Sequence, residues 1–480
     1  SQIQNLSTAQ IASLALTQVA ALQTAQVAVL GTQQLQVMGA MQVGAMTTAQ
    51  LRTLDADQLK SLKPEALSNW TSEDVRALGT DKVTVLTTAQ MAALSVTQVN
   101  ALGTDQWVKL ETQQIAALLP ERFASLTTQL LSALTTEQVG ALSTSDLQAI
   151  KATAIPALGT AQVQALRTDQ AIALKSDQIR AMSTEQVQAL TAEDMAVLST
   201  MAVSGLSAVH VAALSTAQIN NLQTQHFAVM NSAQIGALAP DQIAAVDVVD
   251  LNAMPTARFA ALTTAQIKAL TTFQADGLST VQIAALNSVQ LQAMETQDLL
   301  VLDANQIGAI SPKQLGGLAT QQVQVLTTQQ LGGLNTAQIV QLSSDQLKVL
   351  ATDRVAQLST EQVRALSSLQ LSALQTSQVA ALEAQDLAVL SDEQIKSFTA
   401  TQIAGLTTYQ LNNLSTQHIQ ALDSDQIAAL GASQLAGLAQ RHVQALKSTQ
   451  IMALATSSVA QLSTEQISWL DTQQVKSLSA

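Results

Sequence analysis

The chain contains no cysteine, so disulfides and thiolate metal sites are excluded. Aromatic residues make up 2% of it, which leaves only a thin core of small and medium side chains. Charged residues are 11%, less than half the roughly 25% usual in soluble domains. Disorder needs low hydrophobicity and high charge, and a hydrophobic content of 47% supplies neither condition. No apolar run approaches the roughly 20 residues of a membrane span, and no signal peptide is visible at Ser1. Basic residues are the minority: the net charge of −13 disfavours binding to nucleic acid or anionic lipid, where phosphate must be neutralised.

What is present is one pattern. Leu6, Leu14, Leu22 and Leu30 recur every eight residues, and the register still holds at Leu462 and Leu470 without insertion or deletion. With positions a to h counted from Leu6, residues 278–285 read Leu-Ser-Thr-Val-Gln-Ile-Ala-Ala and residues 262–269 read Leu-Thr-Thr-Ala-Gln-Ile-Lys-Ala. Position a is Leu or a stand-in such as Met38, Ile150, Val246, Phe398 or Trp70. Position f is Ile, Val or Leu, enlarged at Trp107 and Phe123. Gln fills e in about forty of the sixty units, Ala dominates h, and Thr, Ser, Gly or Ala fill b and c. Ser1 falls at d and Ala480 at c, so the chain reads as a window from a longer repeat protein.

A single long helix fails this pattern. Eight residues advance a helix by about 800°, so the apolar stripe would drift about 80° per unit and circle the helix. A strand fails too, because a and f have opposite parity and point to opposite faces. One short helix per unit succeeds. Ser or Thr at b with Gln at e spells a capping box, with b as N-cap and e as N3. The apolar residues at a and f then form the flanking hydrophobic staple.

Proline agrees with this frame. Pro64, Pro120, Pro240 and Pro312 sit at c, the favoured first helical position. Pro255 falls one place early at b, and Pro156, at g, does not fit. Acids gather in the first turn at d (Glu73, Asp105, Glu137, Asp169, Glu185, Glu361, Glu465). Cations gather in the last at g (Arg52, Lys60, Arg76, Lys268, Lys348, Arg364, Lys396), as the helix dipole favours. Gly31, Gly79, Gly103 and Gly159 at b sit where the chain leaves one helix for the next.

A helix of about six residues is unstable alone, since isolated helices below about 12 residues are marginal. The expected fold is therefore all-α, a narrow solenoid of about sixty eight-residue repeats, each helix buried against its neighbours. Residues 1–480 read as one continuous repeat domain.

No catalytic, cofactor or metal site is expected. His210, His226, His418 and His442 all replace Gln at e, at least two whole repeats apart, and read as occupants of one structural slot. Arg122, Arg258, Arg354, Lys82, Asp74 and Asp146 share that slot, which reads as accepting polar groups that reach backbone or solvent. Asp247 and Asp250 bracket an irregular Asp-Val-Val-Asp run, read as drift in the repeat. The pairs Gly316-Gly317 and Gly332-Gly333 sit at g and h and are expected to permit close packing between coils. Trp70, Trp107 and Trp469, at a, f and h, are expected to fill core.

The run Leu-Thr-Thr-Ala-Gln-Ile at 262–267, repeated with variations along the whole chain, resembles the very long octapeptide-repeat proteins of bacteria. These are secreted or surface-attached and often labelled haem-utilisation or adhesin-like. The resemblance implies a scaffold at the cell surface or outside the cell; no Cys-x-x-Cys-His for haem attachment occurs here. Leu358-Ser-Thr-Glu-Gln-Val363 also resembles the opening of a TAL-effector repeat, but that family has a much longer repeat and a basic DNA path.

The expected function is a self-associating extracellular filament, sheath, biofilm-matrix fibre or adhesin stalk, without small-molecule ligand, nucleic acid or membrane insertion. A protein-binding solenoid scaffold is the alternative, and a threonine array binding ice a lesser one. Contacts between chains are expected at d and g.

Overall fold

A computed structural model describes residues 2–454 and 456–478. Among these, the chain forms 57 α-helical segments of four to seven residues and three 3₁₀ segments, with no strand. The all-α solenoid read from the octads is the fold: helix follows helix in the register of the repeat.

The local geometry explains why eight residues suffice. In the helix Thr88–Ala93, Thr87 at b is an extended N-cap whose side chain accepts the Gln90 N–H. After the helix, Leu94 (φ −62°, ψ 133°) and Ser95 (φ −71°, ψ 164°) are both extended, and the next helix, Val96–Ala101, begins at once. The turn is thus two extended residues at a and b, which any L-residue can adopt. Gly31, Gly103 and Gly159 have ordinary φ values of −72° to −74° at this place, so the turn does not require glycine there. Gly79 differs: its φ of 71° lies in the left-handed region, where glycine is favoured.

Two units with Ala at e wind differently, although the lack of a capping box is not sufficient for this, since the units of Leu119 and Ala351 also lack one and remain α-helical. Lys63 and Ala66, and likewise Lys151 and Ala154, leave b and e without either cap side chain, and both units wind as 3₁₀ segments, Pro64–Asn69 and Ala152–Ala157. Pro156, which the α-helical frame could not place, lies inside the second of these.

Position f lies at the centre of the core: Val19, Leu35, Trp107, Ile179 and Phe227 have no exposed surface. Position a closes the core at the turn, and Trp70 and Phe398 are buried there among the leucines. Trp107 and Trp70 fill core as expected, although each buries an indole N–H without a partner. Trp469 departs from expectation: it is half-buried.

The chain divides into two compact units, Ser1–Val246 and Asp247–Ala480. The division falls between a and b of one repeat, at the start of the irregular Asp247–Asp250 run. Within each unit the offset between coils is set by side chains at e. In the first, Gln170 donates to the carbonyls of Val139 and Leu142, 31 and 28 residues back. In the second, Gln362 does the same to Leu331 and Leu334. The a carbonyl that e reaches thus lies three and a half repeats back (28/8), while helices that pack on one another, such as Thr272–Gly277 and Thr296–Val301, are three repeats apart. Successive coils are therefore staggered: an e side chain meets the end of one helix and the a residue that follows it.

Candidate functional site

The feature that organises the molecule is a ladder of buried polar side chains at e. Gln170 has no exposed surface. Its Oε1 accepts the Arg167 N–H at 2.8 Å, capping its own helix. Its Nε2 lies 2.8 Å from the Val139 carbonyl and 2.9 Å from that of Leu142. One amide thus serves an unpaired N–H at the start of one helix and the carbonyls left at the end of another, the two sets of backbone groups a short helix cannot satisfy itself. Gln98, Gln186, Gln234, Gln330 and Gln402 repeat the arrangement. Glu would serve the first role and not the second. The sequence carries that signal, since Glu occupies e in no unit.

The rarer occupants of e follow the same chemistry. His210 Nδ1 accepts the Ser207 N–H at 3.2 Å, and its Nε2 lies 3.0 Å from the Met182 carbonyl. His226 does likewise with Gln223 and Leu198. His442 Nε2 lies 2.9 Å from the Leu414 carbonyl and Nδ1 3.0 Å from Asn412 Oδ1. His418 Nδ1 accepts the Ser415 N–H at 3.3 Å, and its Nε2 lies 3.8 Å from Asp392 Oδ1. The four histidines are buried. Burial lowers the pKa of His210 and His442, which favours the neutral ring.

Arg122 Nε donates to Leu94 O at 2.7 Å, and Lys82 and Arg354 reach the carbonyls of Arg52 and Gln324. These cations and Arg258 are half-buried. Asp74 and Asp146 are buried acceptors for the Thr71 and Ser143 N–H groups. The expectation that e reaches backbone is correct, but that backbone includes the neighbouring coil, and e is turned inward rather than to solvent. Among the described residues no group of three or more His, Asp or Glu could hold a metal ion. No helix there is long and apolar enough to cross a membrane.

A second polar contact, at g, was not foreseen as an intrachain role. Asn100 Nδ2 donates to Ser125 O at 2.8 Å while its Oδ1 accepts the Thr127 N–H at 3.0 Å. Asn252 and Asn412 make the same pair with Gly277 and Ser279, and with Gly437 and Ala439. Arg52, Gln148 and Gln188 also donate to carbonyls 25 residues ahead. Three of the four paired glycines pack as expected. A Cβ on Gly316, Gly317 or Gly333 would come within 2.8 to 3.0 Å of Gln341, Ser288 or Ala304, whereas Gly332 faces open space.

Position d is the outward face. Glu137 and Glu185 there sit below the usual carboxylate range, held first by their own N–H groups and then by the hydroxyls at b and c. The same position carries the most exposed large apolar side chains: Met201, Val209, Phe273, Val281, Leu369 and Tyr409 are 59–77% exposed. Beside Tyr409 an open groove of ≈ 550 Å³ runs along Glu383, Gln385 and Asn413.

No curated protein compared with the chain matches it. The family model of the ALTTAQ repeat matches residues 19–56, 69–104, 107–144, 141–176, 172–200, 211–248, 247–288, 324–360 and 379–416, well over half of the sequence. The chain belongs to the ALTTAQ repeat family.

Proposed function

We propose that the protein is a structural scaffold, not an enzyme, and that its copies associate side by side into extracellular filaments of a sheath, matrix or adhesin stalk. The observation that carries this reading is the division of labour within the octad. Positions a and f are spent on the core and e on joining coils, while d is outward and holds Phe273, Val281, Leu369 and Tyr409 at 59–77% exposure. Apolar side chains presented in this way gain from contact with another surface. Asp or Glu occupies d in many other units, such as Glu137, Glu185 and Glu361, so the contact is assigned to stretches whose d residues are uncharged, such as 249–305, where little solvation is lost on contact. The contact is assigned to d before g, because g side chains such as Asn100 and Gln148 are engaged within the chain. The location outside the cell rests on the likeness to secreted and surface-attached octapeptide-repeat proteins.

The test replaces Phe273, Val281, Leu369 and Tyr409 together by Glu and follows sedimentation and electron microscopy. The expected result is loss of bundled filaments with an unchanged helical circular dichroism spectrum. Native protein that remains monomeric at high concentration overturns the reading and favours a scaffold for other partners, with the groove beside Tyr409 as the place to seek them.

A further inference from the structure

The ladder works because e offers an N–H to the carbonyls of the preceding coil, and an aspartate at e cannot do so while ionised. Asp74 and Asp146 receive a hydroxyl in return: Thr71 Oγ1 donates to Asp74 Oδ2 at 2.7 Å, and Ser143 Oγ to Asp146 Oδ2 at 2.6 Å. Asp386 follows Glu383 at b, which has no hydroxyl, but Thr360 Oγ1 donates to its Oδ1 at 2.8 Å. Asp298 has neither arrangement. Its b residue is Glu295, it is 3% exposed, and its Oδ2 is buried without a hydrogen-bond partner.

The register identifies what surrounds that oxygen. Gln290 and Gln306, one repeat to either side, donate to carbonyls 30 and 28 residues back: Ala260 and Leu262 for the first, Asp276 and Leu278 for the second. The same offsets from Asp298 fall on Lys268 and Leu270. Those carbonyls are the acceptors that a donor at this position would serve; an ionised Asp298 leaves its buried Oδ2 without a donor, which costs about 1–3 kcal/mol, more when charged. A carboxylic acid can donate to them as Gln does.

We propose that Asp298 takes up a proton as part of the fold, and that this neutral acid closes a pH-sensitive contact between the helix Thr296–Val301 and the preceding coil. The packed helix Thr272–Gly277 contributes one charged group, Asp276, and the packed helix Thr320–Val325 none. Lys268 ends the helix Thr264–Lys268, and Asp303 caps the helix that follows. Those three side chains are exposed, and Glu295 is the one charged residue whose field acts on Asp298. Burial is the largest influence and raises the acid from 3.8 to about 6; a main-chain bond from Glu295 opposes it and the Glu295 carboxylate adds to it.

Because the folded pKa is raised, the contact is at full strength below about 3.8. It weakens as pH rises towards about 6, where the folded state holds the proton and the open state does not, and is level above that. The test is amide exchange across residues 296–301, corrected for intrinsic rates, alongside the infrared band of protonated carboxyl groups. Protection in the native protein is expected to fall about tenfold per pH unit through that window. Asp298→Asn, which carries an N–H donor permanently, should remove the dependence and the acid's share of the infrared band. Glu295→Ser, which restores the hydroxyl of the Asp146 unit, should move the midpoint to lower pH. Equal pH dependence in native protein and Asp298→Asn overturns the proposal. Should that variant fail to fold, an infrared titration showing Asp298 ionised by pH 5 in the native protein, against Glu295→Ser as reference, overturns it equally.

Discussion

Asn100 Oδ1 accepts the Thr127 N–H at 3.0 Å, and it does so in the unit where e is Leu130 and no glutamine amide is present to take that proton. The b N–H of this helix is therefore satisfied from the neighbouring coil instead of from its own e side chain. In the unit of Ser279 both acceptors are present: Asn252 Oδ1 lies at 3.1 Å and Gln282 Oε1 at 3.2 Å.

The two situations give different mutational costs. Asn100→Ala removes the side-chain acceptor of the exposed Thr127 N–H, which water can replace, and is expected to cost about 0.5–1.5 kcal/mol. Asn252→Ala, backed by Gln282, should cost less than half of that. Chemical denaturation, with exchange of the Thr127 amide as the local probe, measures the difference. Leu130→Gln should restore stability in the Asn100→Ala background; failure of that rescue would mean the asparagine acts by packing.

The ladder predicts that Gln and Glu are not interchangeable at e. Gln170→Glu keeps the acceptor for the Arg167 N–H but turns a charged oxygen on the carbonyls of Val139 and Leu142. It should destabilise the first unit by several kcal/mol at neutral pH and recover on acidification as the new carboxyl protonates. Thermal unfolding at pH 4 and pH 8 separates this from the ordinary capping-box view, in which Glu is as good as Gln. Equal melting temperatures for native protein and variant at both pH values would refute the dual role.

Histidine at e predicts pH dependence of the opposite sign to Asp298. Burial holds the His210 pKa below 6.5, against a bond to the Met182 carbonyl that raises it. The unfolded chain therefore binds the proton more readily. Stability from this residue is full above about 6.5 and is lost as pH falls towards the folded pKa. His210→Gln should flatten the acid side of the stability curve in the first unit and leave the alkaline side unchanged. Replacing His210, His226, His418 and His442 together by Gln should preserve the helical spectrum, since Gln is the usual occupant of the slot. Loss of helical structure would show that the rings pack in a way the amide cannot.

Much of this molecule is local and could be read in one dimension. The phase of Leu at a and Ile or Val at f, with a cap at b and Gln at e, determined that each octad forms a helix and which side chains enter the core. Those are interactions between residues at most five apart, and they repeat along about sixty units. The left-handed Gly79 and the 3₁₀ winding around Pro156 depart from the pattern of the repeat, whereas the half-buried Trp469 shares the partial burial of other h residues such as Ala45, Ala117 and Ala165. The spacing between coils was beyond the sequence. A capping box satisfies the same residues whether three or four helices complete a coil. Only the tertiary structure decides that the free amide of Gln at e reaches back 28 residues, over the turn between two helices, because that is where unpaired carbonyls wait. The absence of Glu at e carried the trace of this contact, but its partner lies three and a half repeats away, beyond the reach of any local pattern.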